Sequence, residues 1–426
     1  MTLRYVRSGA SGAGTGADWT NAYTTLLAAL TAAAAGDTIY VSEDHSESSA
    51  SLLKLTSPGT ITAPVRVVCV NHLGSVPPVS ADLRTTATIT TTSGAVLAFD
   101  SSDTFTVYDG IIFTSNAALN LCWNPRIFNK YRNCALRCSG SGGAGITQQQ
   151  SGAKTILENT TVQFGATSQS ILADNEFLWR NTAAAITGAT FPTTLFSTAI
   201  GNIEVDGVDL NAIAGTIFGA ASNQVMQAQL NDCKINASAT IAAAPTRGGQ
   251  IKYSRIDSGG TNYKHGLIRY EGTQSVETTI VRTGGASDGT TTISEKIVTT
   301  ANCSEHFPFE SLPIAIWNDT AGSAVTATIQ GIWGGGSVPN NDDIWLDVEY
   351  LGDASSPKAS FANCCKADIL ASNAALPAGS GTWGGSTTKF QMAVTFTPQQ
   401  KGWIFARVKA AKASSTFYID PKITLS

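Results

Sequence analysis

Five consecutive residues in one short stretch carry side chains that could perform catalysis. The stretch GDTIYVSEDHSES, residues 36–48, contains them after its apolar run: Glu43, Asp44, His45, Ser46 and Glu47. A hydrolase needs a nucleophile and a base that converge, with the base oriented by a third group. Consecutive loop residues point in different directions, so we predict no active site here. We expect His45 to hydrogen-bond to the next turn of the fold and to fix this loop.

A second group of chemically active side chains consists of acidic residues in the middle of the chain. Glu204 and Asp206 alternate along one predicted strand, so they share a face, and Asp232 occupies the same repeat position as Asp206. Paired carboxylates are the catalytic groups of glycosidases. A role in turns explains the same residues, because other repeats place Asn or Ser there. We therefore predict no catalytic residue, with Glu204, Asp206 and Asp232 as the alternative.

No motif in the sequence indicates a metal site or a cofactor site. The eight cysteines form no CxxC pair, and Cys134 and Cys138 have no further ligand at zinc spacing. His265 lies beside basic and aromatic residues that could bind an anion or a sugar, but solvated loop residues explain them as well. No GxSxG, HExxH, P-loop or EF-hand pattern occurs. We predict no metal and no cofactor.

The composition favours strands and turns. Of 426 residues, 40 are Gly and only 14% are charged, with a net charge of −4. The chain is rich in Thr, Ile and Val and poor in helix formers. No basic run indicates a nucleic-acid partner. The start, MTLRYVRSGASG, lacks the apolar region of a secretory signal, and no run is long enough to insert into a membrane.

A short motif recurs through the middle of the chain. It consists of an apolar residue, a small polar residue, two further positions and another apolar residue. Its anchors lie 22 to 26 residues apart: Asp109, Asn133, Asn159, Asn181, Asp206, Asp232, Ser254 and Glu277. Short β runs at this period predict a parallel β-helix. The anchors are expected at the tight bend of each turn, where Asn and Asp tolerate the left-handed conformation.

The first forty residues predict a cap for this solenoid. Asp18 is placed to cap a helix whose apolar positions recur from Trp19 to Ala34, and Gly36 would end it. We expect the Leu26, Leu27 and Leu30 face to plug the open end of the β-helix. Ile39 and Val41 should point inward in the strand that follows, and Tyr40 outward.

The last third of the chain has a different pattern. From Ile297 the β runs become longer and alternate between apolar and polar residues, which predicts antiparallel strands in a β-sandwich, jelly-roll-like in connectivity. Five tryptophans of this region should supply a core or an interface. The predicted divisions are a cap over 1–40, a right-handed parallel β-helix over 41–292 and an antiparallel β-sandwich over 293–426.

Both ends of the chain resemble a known group of proteins. The segment ADWTNAYTTLLAALTAAAAGDTIYVSEDHSES resembles the cap and first turn of right-handed parallel β-helix proteins of tailed bacteriophages. NHLGSVPPVSADLRTTATITTTSG resembles their second stretch, and STFYIDPKITLS the last strand of their closing β-sandwich. The resemblance implies a virion structural protein, made in the host cytoplasm and often homotrimeric. No separate particle-binding domain precedes the cap, which favours a decoration or fibre.

From these features we expect a non-enzymatic virion structural protein. The leading interpretation is a capsid-surface decoration or head fibre that binds the major capsid protein or other virion proteins. The alternative is a tailspike or receptor-binding protein that binds or depolymerises host surface polysaccharide. A third interpretation is an adhesin that binds a host glycan without turnover. Location on the capsid or the tail is left open.

Overall fold

We describe the fold from a computed structural model of the chain. The structure describes residues 2–94, 99–100, 105–117, 119–122, 128–141, 145–148, 152–173, 175–199, 201–219, 226–243, 249–258, 263–271, 274–281, 294–300, 309–310, 314–333, 343–350, 369–372, 382–383, 387–419 and 423–426. These form two compact units, Met1–Arg247 with Tyr253–Tyr263, and Gly248–Lys252 with Lys264–Ser426. The predicted divisions at 40/41 and 292/293 stay predictions.

The first unit is a parallel β-helix, as predicted. Its backbone visits three parallel sheets in turn; six successive circuits each add one strand to every sheet, and the circuits that begin at Gly201 and Met226 add strands to sheets 1 and 3 only. Sheet 1 contains Leu3–Val6, Thr38–Ser42, Val65–Val70, Phe105–Asp109, Phe128–Arg132, Lys154–Glu158, Glu176–Thr182, Gly201–Leu210, Met226–Asn231, Lys234–Ile235 and Gly249–Ser258. Sheet 2 contains Ser46–Ser49, Ala87–Thr91, Ile111–Ser115, Ala135–Cys138, Thr161–Gln163 and Ile186–Thr187. Sheet 3 contains Leu53–Lys54, Phe99–Asp100, Leu119–Cys122, Gly145–Gln148, Ser170–Ala173, Thr194–Ala199, Thr216–Phe218 and Thr240–Ala242.

Equivalent side chains stack from turn to turn because the strands pair in register. The inward column of sheet 1 is continuous and buried: Val67, Tyr108, Tyr131, Leu157, Trp179 and Val205. The Tyr108 and Tyr131 rings stack with centroids 5.2 Å apart. Alternation along each strand places the next side chains outward, so sheet 1 presents a regular polar face to solvent.

The bend after each sheet 1 strand holds a residue with positive φ, as the repeat predicts. Asn133, Asn159, Asn181 and Asp232 occupy this position at φ 53°, 45°, 50° and 50°. In three other turns the anchor is displaced by one residue, and the positive φ belongs to Gly110, Gly207 and Arg255 rather than to Asp109, Asp206 and Ser254. Each of these three anchors immediately precedes the residue with positive φ; Asp109 ends its strand, whereas Asp206 and Ser254 lie within the longer strands Gly201–Leu210 and Gly249–Ser258.

The N-terminal helix is shorter than predicted and begins later. It runs from Leu26 to Ala32 and is capped by Thr25, whose Oγ1 accepts from the Ala28 N–H at 3.3 Å. Asp18 instead caps a turn by accepting from the Asn21 N–H at 2.7 Å. The backbone at Tyr23 pairs with the edge strand Leu3–Val6. This pairing gives hydrogen-bond partners to backbone groups of the edge strand. Because Tyr23 takes part in it, the helix cannot begin before this residue.

The short helix packs against Leu3–Val6 and Thr38–Ser42. Leu26 and Leu30 are fully buried, which agrees with the predicted plug, whereas Leu27 is 38% exposed and points away. Ile39 and Val41 are buried and Tyr40 is half-buried on the outer face, as predicted. A 3₁₀ turn, Ser80–Asp82, lies in the loop that follows Val65–Val70. No helix in the described residues is long and apolar enough to cross a membrane.

The second unit is antiparallel and consists of two sheets, in agreement with the predicted β-sandwich. The first sheet contains Tyr263–Glu271, Gln274–Val281, Ser294–Thr299, Val325–Trp333, Thr382–Trp383, Thr387–Phe396, Thr416–Ile419 and Thr424–Leu425. The second contains Phe309–Glu310, Ile314–Asn318, Ile344–Tyr350, Ile369–Ser372 and Gly402–Ala410. Both sheets contribute to one buried core, for example Ile329 and Phe390 from the first and Val348 and Ile404 from the second. The predicted anchor Glu277 lies on a strand that pairs antiparallel on both sides, so it belongs to no turn of the β-helix.

Candidate functional site

The acidic loop after the sheet 1 strand Thr38–Ser42 forms an ion pair with Arg7, which follows the strand Leu3–Val6. The Arg7 guanidinium donates to Asp44 from Nε at 3.1 Å and from a terminal nitrogen at 2.7 Å, and Ser42 Oγ donates to the same carboxylate at 2.6 Å. The Arg7 hydrogen bonds lower the pKa of Asp44 to about 2. The Ser42 hydroxyl is thus bonded to a carboxylate that is already neutralised, and the Ser42 carbonyl accepts from the His45 N–H at 2.9 Å.

His45 and Glu47 form a separate, buried pair. His45 Nε2 lies 3.2 Å from Glu47 Oε2, and the same oxygen accepts from the Leu26 N–H at 2.8 Å, at the start of the helix. The predicted side-chain bond from His45 to the next turn is wrong, because only its backbone carbonyl reaches there, accepting from the Thr88 N–H. Asp44, His45 and Glu47 therefore tie the cap to the first turn.

Of the three acidic residues of the alternative catalytic site, the structure brings Glu204 and Asp206 together and leaves Asp232 apart. Glu204 and Asp206 share the outer face of their strand, as predicted. Glu204 accepts from Arg180 at 2.7 Å. Asp206 pairs in register with Asn231 rather than with Asp232, so the predicted stacking of Asp206 on Asp232 is wrong. Asp232 lies at the bend and forms an ion pair with Arg255.

Asp206 belongs to a column of alternating charge on the outer face of sheet 1, which we call the charge ladder. Its members pair in register in successive turns: Asp109, Arg132, Glu158, Arg180 and Asp206. Arg132 Nε donates to the nearly buried Asp109 carboxylate at 3.0 Å, which raises the pKa of Arg132. Opposite charges on adjacent strands stabilise a sheet by roughly 0.2–1 kcal/mol per pair. The ladder thus has a structural role along most of its length.

The same face carries a groove near the N-terminal end of the ladder. Its floor is formed by outward residues of the first four turns, and its wall by the loop over residues 71–84. Asp82 holds this loop, since its Oδ2 accepts from the N–H groups of Ser75 at 3.1 Å and Val79 at 2.9 Å. A side chain at Gly74 would collide with the Asp82 carboxylate. The enclosed volume is about 470 Å³.

The groove combines positive charge with apolar surface. Arg66, Lys130 and Arg132 line it together with one acid, Asp109, which Arg132 neutralises. Lys130 pairs with Glu158, whereas exposed Arg66 makes no side-chain hydrogen bond or ion pair to any described residue. The wall adds Val79, 52% exposed, and Leu83, 42% exposed.

The floor of the groove adds two polar side chains, Thr38 and Tyr40. Thr38 is only 4% exposed, and its Oγ1 has no hydrogen-bond partner among the described residues. Sequence reasoning missed the groove. Its signal was the outward position of Tyr40, Arg66 and Lys130 in three of the four strands that form the floor, which becomes visible only once the register is known.

The part of the chain that the structure describes contains no cluster of metal ligands, and its buried thiols are unreactive. No group of three His, Cys, Asp or Glu residues there is arranged to hold a metal ion. Burial raises the pKa of the Cys134 and Cys138 thiols to about 12 and that of Cys233 to about 11, so they remain protonated and poorly nucleophilic. The side chain of His265 lies outside the described residues.

Comparison with known proteins yields matches among solved structures. No protein-family model matches the chain. No curated protein sequence matches it. The chain is similar to the enzymatically active domain of bacteriophage CBA120 tailspike protein 4, with 8% identity and a TM-score of 0.23, over 96% of this chain and 67% of that one. It is also similar to the Acinetobacter phage vB_ApiP_P1 tailspike protein, with 10% identity and a TM-score of 0.26, over 98% and 86%.

Both matched chains are phage tailspike proteins, which are among the β-helix proteins that the sequence resembles. The parallel β-helix itself is established by the strand pairing. One prediction is corrected: the expectation of a chain without enzymatic activity is contradicted, because the CBA120 domain is described as enzymatically active. That expectation is not carried further.

Proposed function

We propose that this chain is a tailspike-type virion protein that binds an acidic polysaccharide of the host surface in the groove on sheet 1. The observation that carries the proposal is the exposed Arg66, which has no partner among the described residues, beside Thr38 with its unpaired hydroxyl. A cation without a partner favours a carboxylate or another anion as ligand. This proposal replaces capsid decoration as the leading function; location on the capsid or the tail stays a prediction.

Sugar recognition fits the remaining groove residues. A pyranose ring offers apolar C–H faces and hydroxyl edges, and sites for such ligands combine apolar walls with a few placed polar groups. Val79 and Leu83 provide the apolar wall, Tyr40 a flat ring with a hydroxyl, and Arg66 the positive charge. Lys130 lies in line with Arg66 across the intervening strand, because both pair in register with Val107, so the paired cations Lys130 and Arg132 extend the positive surface across the strands.

A binding screen tests the proposal. The full chain is applied to an array of bacterial capsular polysaccharides and lipopolysaccharide glycans at low and high salt. We expect binding to at least one acidic polysaccharide, weakened by salt because the partner is charged. Binding confined to neutral glycans, or unaffected by salt, would contradict an acidic ligand.

A second candidate function is cleavage of the bound polymer by Glu204 and Asp206. One observation favours it: Asp206 is half-buried and makes no ion pair among the described residues, while Glu204 lies two residues away on the same face. Residues two apart in a strand have Cα atoms roughly 6.6 Å apart, which is compatible with the carboxyl separations of glycosidases.

Cleavage is tested by release of reducing ends from a polysaccharide that the array identifies. We expect Asp206→Asn and Glu204→Gln each to lower the rate by at least about 100-fold. Asp232→Asn is the matched control, because Asp232 lies at the bend with Arg255. Full activity in Asp206→Asn would exclude this pair.

A further inference from the structure

The second unit exposes a cluster of aromatic side chains on the outer face of one sheet. Trp317 and Trp403 pair across adjacent antiparallel strands and are each 54% exposed, and Phe405 on the same face is 41% exposed. The two indole rings meet edge to face with centroids 5.6 Å apart. We call these three residues the aromatic platform. The core of the unit is formed by the opposite face of the same strands, for example by Ile404 and Ala406.

The platform has an ion pair at each end. Asp319 lies two residues after Trp317, and Lys401 lies two residues before Trp403. Their side chains form an ion pair with the charged atoms 2.9 Å apart. Arg407, two residues beyond Phe405, forms a double hydrogen bond with Glu349. Among the described residues, Lys401 and Arg407 are thus each matched by an anion, and these two pairs add no excess charge beside the platform.

We propose that the aromatic platform binds a neutral oligosaccharide, separately from the groove on sheet 1. Aromatic faces stack on the C–H faces of pyranose rings, and the flanking carboxylates and cations can accept and donate hydrogen bonds at the hydroxyl edges. A charged ligand would meet only charges that are already paired among the described residues here. The groove differs, because its Arg66 has no side-chain partner among the described residues.

The size of the platform also favours a small ligand over a second copy of the chain. An aromatic side chain has a surface of about 150–250 Å². At the exposed fractions of Trp317, Trp403 and Phe405, the platform presents on the order of 300 Å² of apolar surface to solvent. A stable protein interface covers about 800 Å² on each partner.

Binding of defined neutral sugars to the full chain tests the proposal. The probes are maltotriose, a hexose trisaccharide, and chitotriose, an N-acetylhexosamine trisaccharide, observed by saturation-transfer NMR and tryptophan fluorescence. We expect at least one to bind, and Trp403→Ala and Trp317→Ala each to weaken that binding at least about tenfold. Trp403→Tyr, which keeps an aromatic plane, should retain binding within about threefold.

The controls separate this site from the groove and from assembly. Arg66→Glu should leave trisaccharide binding unchanged, and Trp403→Ala should leave binding of acidic polysaccharide unchanged. Absence of binding by the wild-type chain to both trisaccharides, or equal binding by a folded Trp403→Ala chain, would overturn the proposal. A lower molecular mass of Trp403→Ala in solution would also overturn it, because the platform would then be a subunit contact.

Discussion

At the scale of single residues, Asp44 should give the protein an acid-sensitive contact. Its folded pKa of about 2 lies below the unfolded value of roughly 3.9. The contact therefore stabilises the fold above about pH 4 and is lost as the pH falls towards 2. Because the Asp44 side chain is 44% exposed, solvent screening limits the effect to at most about 1 kcal/mol.

Urea unfolding between pH 5 and pH 2 measures this contribution. We expect Asp44→Asn to be less stable than the wild type at pH 5, with a much smaller difference at pH 2, where about half of the Asp44 carboxyl groups are protonated. A constant difference across the whole range would show that the Arg7 contact does not depend on the charge of Asp44.

His45 should matter for stability, because its side chain is buried between the cap and the first turn. His45→Ala creates a cavity and removes a hydrogen bond to Glu47, and we expect a loss of about 2 kcal/mol. Ser48→Ala, at an exposed position of the strand Ser46–Ser49 that follows His45, is the control and should change stability by less than about 0.5 kcal/mol. An unchanged unfolding midpoint for His45→Ala would contradict the tying role.

At the scale of elements, the bends of the β-helix depend on two separate properties of asparagine. Asn159 adopts φ 45°, and its Nδ2 donates to Asn133 Oδ1 in the preceding turn at 2.8 Å. Asn159→Ala loses both the left-handed tolerance and the hydrogen bond, for a loss of about 2 kcal/mol. Asn159→Gly loses only the hydrogen bond, for about 1 kcal/mol.

The two variants are compared by thermal unfolding. The Ala variant should melt at a lower temperature than the Gly variant, and the Gly variant at a lower temperature than the wild type. If the Ala and Gly variants melted together, backbone strain at this bend would play no part.

The elements that repeat were predictable from the sequence, and those that occur once were not. The period located the bends at Asn133, Asn159 and Asn181 because stacking forces the same backbone geometry in every turn. The cap helix was predicted to begin too early. Tyr23 pairs with the edge strand through backbone hydrogen bonds, and no residue pattern near Tyr23 indicates this pairing. The groove wall was missed, because its shape depends on the bonds from Asp82 to distant N–H groups of the same loop.

At the scale of the whole molecule, we propose a homotrimer, as the resemblance to phage β-helix proteins implies. Light scattering coupled to size exclusion should give three times the chain mass of 44.3 kDa. Three copies would bring three grooves to one host surface, so that weak single contacts add to a firm attachment. A mass of one chain at micromolar concentration would contradict the trimer.

The central claim is that the groove on sheet 1 binds an acidic polysaccharide through Arg66. It is tested most directly by the dissociation constant of one acidic polysaccharide for the wild type, Arg66→Glu and Lys54→Glu. Lys54 is exposed on sheet 3, so its variant makes the same change of charge outside the groove. We predict that Arg66→Glu weakens binding at least about tenfold and that Lys54→Glu leaves it within about twofold. Equal binding by Arg66→Glu and the wild type would contradict the claim.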